Sequence, residues 1–434
     1  MSLLFVSKFS RAIIVSLAYS LFSGLIVFRG FENYGFWAYL GGAFFFGTQY
    51  FLFAILTYRL HINFKKPVVL AFLASTLYIA IDYIYANIYL APTGRFAGSL
   101  AYDTHFLQLA RLTGHSGLTF VLIFANIVIA SALINSRQFK SHIPALLAVF
   151  LIFIAVYFYG SHCLNNSPSA GKIEEFAIIQ GGITKEQYDA MEISQSSWKF
   201  VINRYFDMTT EAKQMGYNNI FWPETAIRSY VGIKDTLTSF VNTSDINLIG
   251  GFPLLIGSTN VQYNSVLSLD NNANIIGRYD KNHLLPFTEN EFLSGEKSEP
   301  IKTKFGALVT PICLEGLFPN HIRSMVNKGG EAIVIFTNDS GFGQNAISAL
   351  VLKQIFLRAV ENNRYVVRVA QSGISALIDN FGQIIAQSSL MSREIIPVEF
   401  KLINQASLYG KLGEWFLLST VFLSLSILLY SQRF

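Results

Sequence analysis

The 434-residue chain is 52% hydrophobic and only 14% charged. An ordinary soluble domain carries about 25% charged residues, so this composition points to a membrane protein. A net charge of +5 with no dense Lys/Arg block argues against a nucleic-acid partner, and two cysteines cannot build a disulfide framework.

The apolar content is uneven. Stretches of about 20 apolar residues, enough to cross a bilayer, occur at 11–28, 36–57, 67–90, 115–135 and 143–161, and again at 412–431. The first follows Lys8 and Arg11 but lacks a small-residue cleavage site, so it reads as a retained helix rather than a signal peptide. The chain thus divides into N-terminal transmembrane helices (1–165), a domain of soluble composition (172–402) and a C-terminal transmembrane helix (411–434). With the N-terminus in the cytoplasm, the cytoplasmic pieces carry Lys8, Arg11, Arg59, Lys65, Lys66, Arg137, Lys140 and Arg433, eight in all. The opposite loops carry Arg29, Arg95 and Arg111, three in all, so the positive-inside rule puts 162–411 outside the cytoplasm.

Within 172–402 strands and helices alternate. "EEFAIIQGGI" reads as a strand, "SSWKFVINRYFDMTTEAKQMG" as a helix and "NNIFWPE" as a short strand. "VQYNSVLSLDNNANIIGRYDKN" reads as a hairpin turning at Asn-Asn. "FGALVTPIC" and "EAIVIFTND" read as strands flanking the helix "HIRSMVNKGG". The helix "AISALVLKQIFLRAVENN" follows, and then strands in "YVVRVAQSGISALID" and "GQIIAQSS". The pattern is that of an α/β sandwich of single-domain size.

Three polar residues sit where such strands end: Glu224, Lys281 and Cys313. Strand ends let a sheet present several side chains to one pocket. A carboxylate in an apolar pocket can take a thiol proton, and an ammonium beside them stabilises a developing oxyanion. Each residue also has a plain alternative. Cys313 can be a small buried hydrophobe, Glu224 a helix N-terminal carboxylate, Lys281 a surface residue, Glu289 and Glu315 solvated loop acids, and His283 a structural hydrogen-bonding residue. The seven histidines show no metal-ligand spacing, and no phosphate loop or G-x-S-x-G elbow is present.

"FWPETA", "YDKNHLLPFTE" and "PICLEG", in that order, resemble the nitrilase (carbon–nitrogen hydrolase) superfamily. The resemblance covers about 172–400 and implies an αββα sandwich, with Glu224 as general base, Lys281 as oxyanion stabiliser and Cys313 as nucleophile. Glu289, eight residues after the lysine, matches a second glutamate of that family, and Glu315 supports the site locally. Arg358, Glu361 and Gly373 fall at matching places in the late helix and strand. "FAIIQGGI", "FTNDSGFG" and "LQLARLTGHSGLTFVL" are further similar to the apolipoprotein N-acyltransferase branch, in which the sandwich is joined to a transmembrane helical bundle.

That branch implies ping-pong acyl transfer. A membrane phospholipid acylates Cys313, and the α-amine of a diacylglyceryl apolipoprotein accepts the chain, without metal or cofactor. It also implies a multi-pass protein of the bacterial inner membrane with its catalytic domain on the periplasmic side. Trp222 and Phe342 are candidate substrate contacts, and "GGFPLLIGS" at 250–258 and the loop around Phe342 are candidates to touch the bilayer. The chain departs from the branch in having six spans rather than eight, Gly341 and Leu314 where aromatics are usual, and Asp82 where a glutamate–arginine pair is usual. A membrane-tethered amidase using the same trio, and a membrane scaffold or transporter with an inert domain, are the rival readings.

Overall fold

The computed structural model describes residues 8–88, 96–134, 139–166, 171–255, 261–285, 289–343 and 347–431. Arg95, Arg137 and Arg433 of the charge comparison, and 256–258 of "GGFPLLIGS", lie outside the described residues. The chain forms two compact units, 1–167 with 407–434, and 168–406.

The first unit is helical: α1 (Phe9–Phe28), α2 (Phe36–Asn63), α3 (Pro67–Ile88), α4 (Thr104–Leu107), α5 (Ala110–Ile134) and α6 (Phe139–Asn165). All except α4 are long and apolar enough to cross a membrane. The C-terminal helix Trp415–Ser431 has 17 residues, at the short end of the spanning range. Helices suit hydrocarbon because every backbone polar group is satisfied within the segment. On α1 the buried positions Ala12, Ser16, Ser20, Gly24 and Phe28 recur every four residues, a mostly small stripe that lets α2 pack closely.

The helix α5 breaks at Gly114 (φ 66°, ψ −171°). The ring of Tyr409, in the short helix Leu408–Leu412, lies 2.4 Å from where a β-carbon would stand on Gly114. Around this break Tyr409 Oη and Ser116 Oγ donate to the two oxygens of Glu414 at 2.9 and 3.1 Å, and Trp415 Nε1 donates to Leu112 O at 2.8 Å. Asp82 on α3 is buried, its carboxylate 3.8 Å from His115 Nε2 on α5.

The second unit contains β1 (Ile173–Gln180), α7 (Lys185–Ile193), α8 (Gln195–Gln214), β2 (Asn219–Trp222), α9 (Lys234–Ser244), β3 (Asn247–Leu255), β4 (Gln262–Leu269) and β5 (Ile275–Asp280). It continues with β6 (Phe292–Leu293), β7 (Ile301–Lys302), β8 (Ala307–Val309), α10 (Pro319–Asn327), β9 (Ala332–Thr337) and α11 (Ile347–Asn362). Four strands close it: β10 (Val366–Ala370), β11 (Ala376–Ile378), β12 (Ile384–Gln387) and β13 (Glu394–Lys401).

One sheet runs β13-β1-β2-β3-β4-β5 with β6 beside β4, and the other runs β12-β11-β10-β9-β8-β7. They meet through aromatic rings. Phe176 stacks on Phe221 at 4.1 Å and near Phe400, and Phe221 meets Phe336 of the other sheet edge-on at 6.0 Å. The alternate residues Ala177, Ile179, Ile220 and Trp222 pack instead with Val201, Tyr205 and Met208 of α8 and Leu237 and Val241 of α9. Helices α10 and α11 cover the second sheet. The result is the nitrilase-like αββα sandwich.

"GGFPLLIGS" is not a membrane-touching loop over its described residues. Gly250–Leu255 belong to β3, hydrogen-bonded between β2 and β4, and only Leu255 among them is exposed. Its apolar character reflects burial on both sheet faces.

Candidate active site

The rest of β2 is local preparation for Glu224. Trp222 and Pro223 end the strand, and Gly251 of β3 runs so close that a β-carbon there would stand 2.5 Å from Glu224 Cα. Lys281 immediately follows β5. The β4–β5 hairpin turns through Asp270, whose Oδ1 accepts from the amides of Asn272 and Asn274 at 2.9 and 2.8 Å. Its register pairs Ser265 with Asp280, and Lys281 N then donates to Asn264 O at 2.9 Å. Cys313 opens a 3-10 turn just past Ile312, which bridges Phe336 of β9.

These three segments converge. Buried Lys281 Nζ lies 3.1 Å from Glu224 Oε1 and 2.6 Å from Glu289 Oε1. Glu224 Oε1 also accepts from Asn264 Nδ2 at 2.8 Å, and Oε2 from Asn338 N at 2.8 Å. Glu289 Oε2 accepts from Leu285 N at 2.7 Å. Cys313 is partly exposed, within electrostatic reach of Glu224, Lys281, Asp339 and Glu289. Its φ of 55° is left-handed, a strained conformation for a non-glycine residue that clusters at functional sites.

The electrostatics follow from burial around one cation. Desolvation pushes the Cys313 thiol up, and the Glu224 charge adds to that against the opposing pull of Lys281, so the resting group is a thiol. Desolvation also raises Glu224, and Lys281 offsets part of the rise. For Lys281 burial acts downward, but the carboxylates of Glu224 and Glu289 outweigh it and hold the ammonium well above its ordinary value. A protonated thiol, a carboxylate with raised proton affinity and a permanent cation can move one proton and stabilise one oxyanion.

Glu315 is a buried clamp rather than a solvated acid. Its Oε1 accepts from Asn282 N and His283 N at 2.7 and 2.9 Å, and its Oε2 from Ile312 N and Tyr279 Oη at 2.8 Å each. It thereby ties the segment after Lys281 to the residue before Cys313. Asp339, two residues past β9, pairs with Arg368 Nη2 at 2.6 Å and accepts from Thr337 and Ser348 hydroxyls at 2.7 Å. That fixes the loop whose Asn338 amide reaches Glu224.

Two candidate contacts land elsewhere. Trp222 is fully buried in the helix-facing core, its Nε1 donating to Thr209 Oγ1 at 2.9 Å, because β2 turns that side chain toward α8. It is a core residue and not a substrate contact. Phe342 is 4% exposed within the turn Ser340–Phe342, which leaves its ring little surface to offer a bilayer. Sequence reasoning missed Asn264, which only hairpin register brings beside Lys281. It also missed the Asn338 amide, 114 residues from its acceptor. Among the described residues no cluster of three His, Cys, Asp or Glu is placed to hold a metal ion.

Comparison with known proteins gives this geometry a family. The carbon-nitrogen hydrolase family model matches residues 177–406, more than half of the chain. The apolipoprotein N-acyltransferase of Geobacter metallireducens is 26% identical over 401 residues, covering 84% of this chain and 74% of the relative. That of Gloeobacter violaceus is 26% identical over 357 residues, covering 75% and 65%. The chain thus spans slightly under two thirds of the second relative. Saccharomyces cerevisiae Nit3, a nitrilase-superfamily structure, is similar at 22% identity over 56% of this chain and 97% of that one, with a TM-score of 0.43. The chain belongs to the carbon–nitrogen hydrolase family and is a multi-pass membrane homologue of the apolipoprotein N-acyltransferases.

Proposed function

We propose that this protein is an apolipoprotein N-acyltransferase of the bacterial inner membrane, with its catalytic unit on the periplasmic side. The observation that carries the reading is the convergence of Glu224, Lys281 and Cys313 in a chain whose similarity to an acyltransferase covers 84% of its length, more than the sandwich unit alone. In the first half-reaction Cys313 Sγ attacks an ester carbonyl of a phospholipid while Glu224 takes the thiol proton. The oxyanion forms beside Lys281 Nζ. It collapses to a thioester as the lysophospholipid alkoxide leaves with the proton from Glu224. In the second, the α-amine of a diacylglyceryl-cysteine attacks the thioester, Glu224 accepts the amine proton, and Cys313 departs to regain it, leaving an amide. The covalent intermediate divides one difficult transfer into two easier ones. Glu289 keeps Lys281 charged and directed throughout.

Intact mass spectrometry of the full-length protein incubated with phospholipid tests this reading. A fatty-acyl increment that hydroxylamine removes, that Cys313→Ala abolishes and that a diacylglyceryl peptide discharges is the expected result. No increment, from a Cys313 that still reacts with a small alkylating agent, overturns acyl transfer. Hydrolysis of a small amide by that same protein would establish the tethered amidase instead.

A further inference from the structure

Behind Glu315 lies a chain of groups that the reaction above leaves unused. Three of the four donors to that carboxylate are backbone amides, and the fourth is the Tyr279 hydroxyl at 2.8 Å. Tyr279 lies on β5, two residues before Lys281. A second acceptor, Asn282 Oδ1, stands 3.2 Å from the same hydroxyl, and it already accepts from Ser298 Oγ at 2.8 Å. His321 of α10 holds its Nε2 3.0 Å from the hydroxyl. A phenol has one hydrogen. With that hydrogen on Glu315, His321 Nε2 carries its own proton and donates it to the phenolic oxygen. Burial lowers the proton affinity of His321, consistent with a neutral ring. The ring also meets His283 edge-on at 4.9 Å, and His283 stacks on Phe318 at 5.0 Å.

We infer that Tyr279 and His321 are positioning residues for the nucleophile: His321 orients the Tyr279 hydroxyl onto Glu315, and Glu315 then holds the Lys281 segment and the Cys313 turn at one separation. The left-handed Cys313 backbone needs this, because such a conformation persists only where its surroundings over-determine it. A carboxylate that loses one of its two Oε2 donors is held there by Ile312 N alone and can rotate away from the turn. The inference rests on the reading of Cys313 and Lys281 as reacting groups.

The test measures the iodoacetamide alkylation rate of Cys313 by intact mass, in the full-length protein in detergent with Cys163→Ser as background. Charge-assisted hydrogen bonds are the strong ones, so Tyr279→Phe and His321→Leu are expected to slow alkylation about tenfold and to slow acyl loading in parallel. His321→Gln, whose amide N–H can donate from a similar position, is expected to restore the rate to within about threefold of the parent. A purely structural role would lower the melting temperature of both His321 variants without that rescue. An unchanged alkylation rate in Tyr279→Phe, or a Gln variant as slow as the Leu variant, overturns the inference. Should Tyr279→Phe fail to fold, the two His321 variants decide it. This alkylation pattern across the variants, together with a wild type that never loads an acyl chain, refutes acyl transfer and leaves the positioning inference standing.

Discussion

The two units solve opposite problems: one is apolar along almost its whole length, and the other has the composition of a soluble domain. The helical unit turns large side chains outward: Phe22, Phe44, Trp37 and Phe422 are each at least 65% exposed. Lipid covers that outer surface, around a core in which Leu70 and Ala74 of α3 meet Phe124 and Val128 of α5, with small-residue packing and polar clasps such as Tyr409–Glu414–Ser116 beside it. The sandwich unit turns its apolar side chains inward and encloses a connected set of charges: Lys281 with Glu224 and Glu289, Arg368 with Asp339, and Glu315 with four donors. The lesson is where single changes hurt. Removing one partner from a buried charge set strands the rest, whereas a lipid-facing apolar residue exchanges one apolar neighbour for another.

Lys281→Met should therefore have the largest effect. It leaves two carboxylates facing each other in the interior, at a cost of about 3–5 kcal/mol, and it removes the oxyanion partner. Detergent-solubilised melting and acyl loading should both collapse, and a melting temperature near wild type would show that the ion set is not structural. Glu224→Gln keeps the shape but only one acceptor oxygen, so its amide nitrogen faces either the Asn264 and Lys281 donors or the Asn338 amide; it should lose roughly 10²–10⁴ in turnover and melt lower than the parent, though above Lys281→Met. In the wild type, the acid limb of kcat/KM should lie above the ordinary glutamate value of about 4.3, since burial raises Glu224. The limb reports the coupled carboxylates together.

Acid should separate the units next. Burial would raise Asp339, but Arg368 and the Thr337 and Ser348 hydroxyls prevail and hold it below its ordinary range. Its stabilisation is then fully present above the unfolded value of about 3.9 and is lost as the pH falls through the lower folded value. Melting of the sandwich unit should weaken below about pH 4, and Asp339→Asn should flatten that acid limb while lowering the melting temperature at pH 7. In the helical unit, Gly114→Ala forces a β-carbon against Tyr409 at a left-handed position and should cost about 2 kcal/mol. Gly41→Ala in α2, with nothing within 4 Å, should be silent. Smallest of all, Phe422→Leu on a lipid-facing position should leave both activity and melting unchanged, and a loss there would show that this face has a protein partner.

The membrane helices were legible in the sequence because a bilayer imposes a local demand, about 20 apolar residues in a row, that no distant contact can replace. Glu224, Lys281 and Cys313 were legible as a set because each closes a recognisable strand or hairpin. Helix α7 was missed although Thr184 and Gln187 spell its capping box. Strands β3 and β13 were missed for want of a two-residue alternation in burial in one case and a distinctive boundary in the other. Both faces of β3 are covered, so its hydropathy does not show which side a residue takes. The same doubt misled for Trp222. Which face a side chain turns to, the pairing of Asn264 with Lys281, the reach of the Asn338 amide to Glu224 and the Tyr279–His321 support behind Glu315 were decided only by the tertiary structure. Sheet register and layer stacking set them, and those depend on partners tens to more than a hundred residues away.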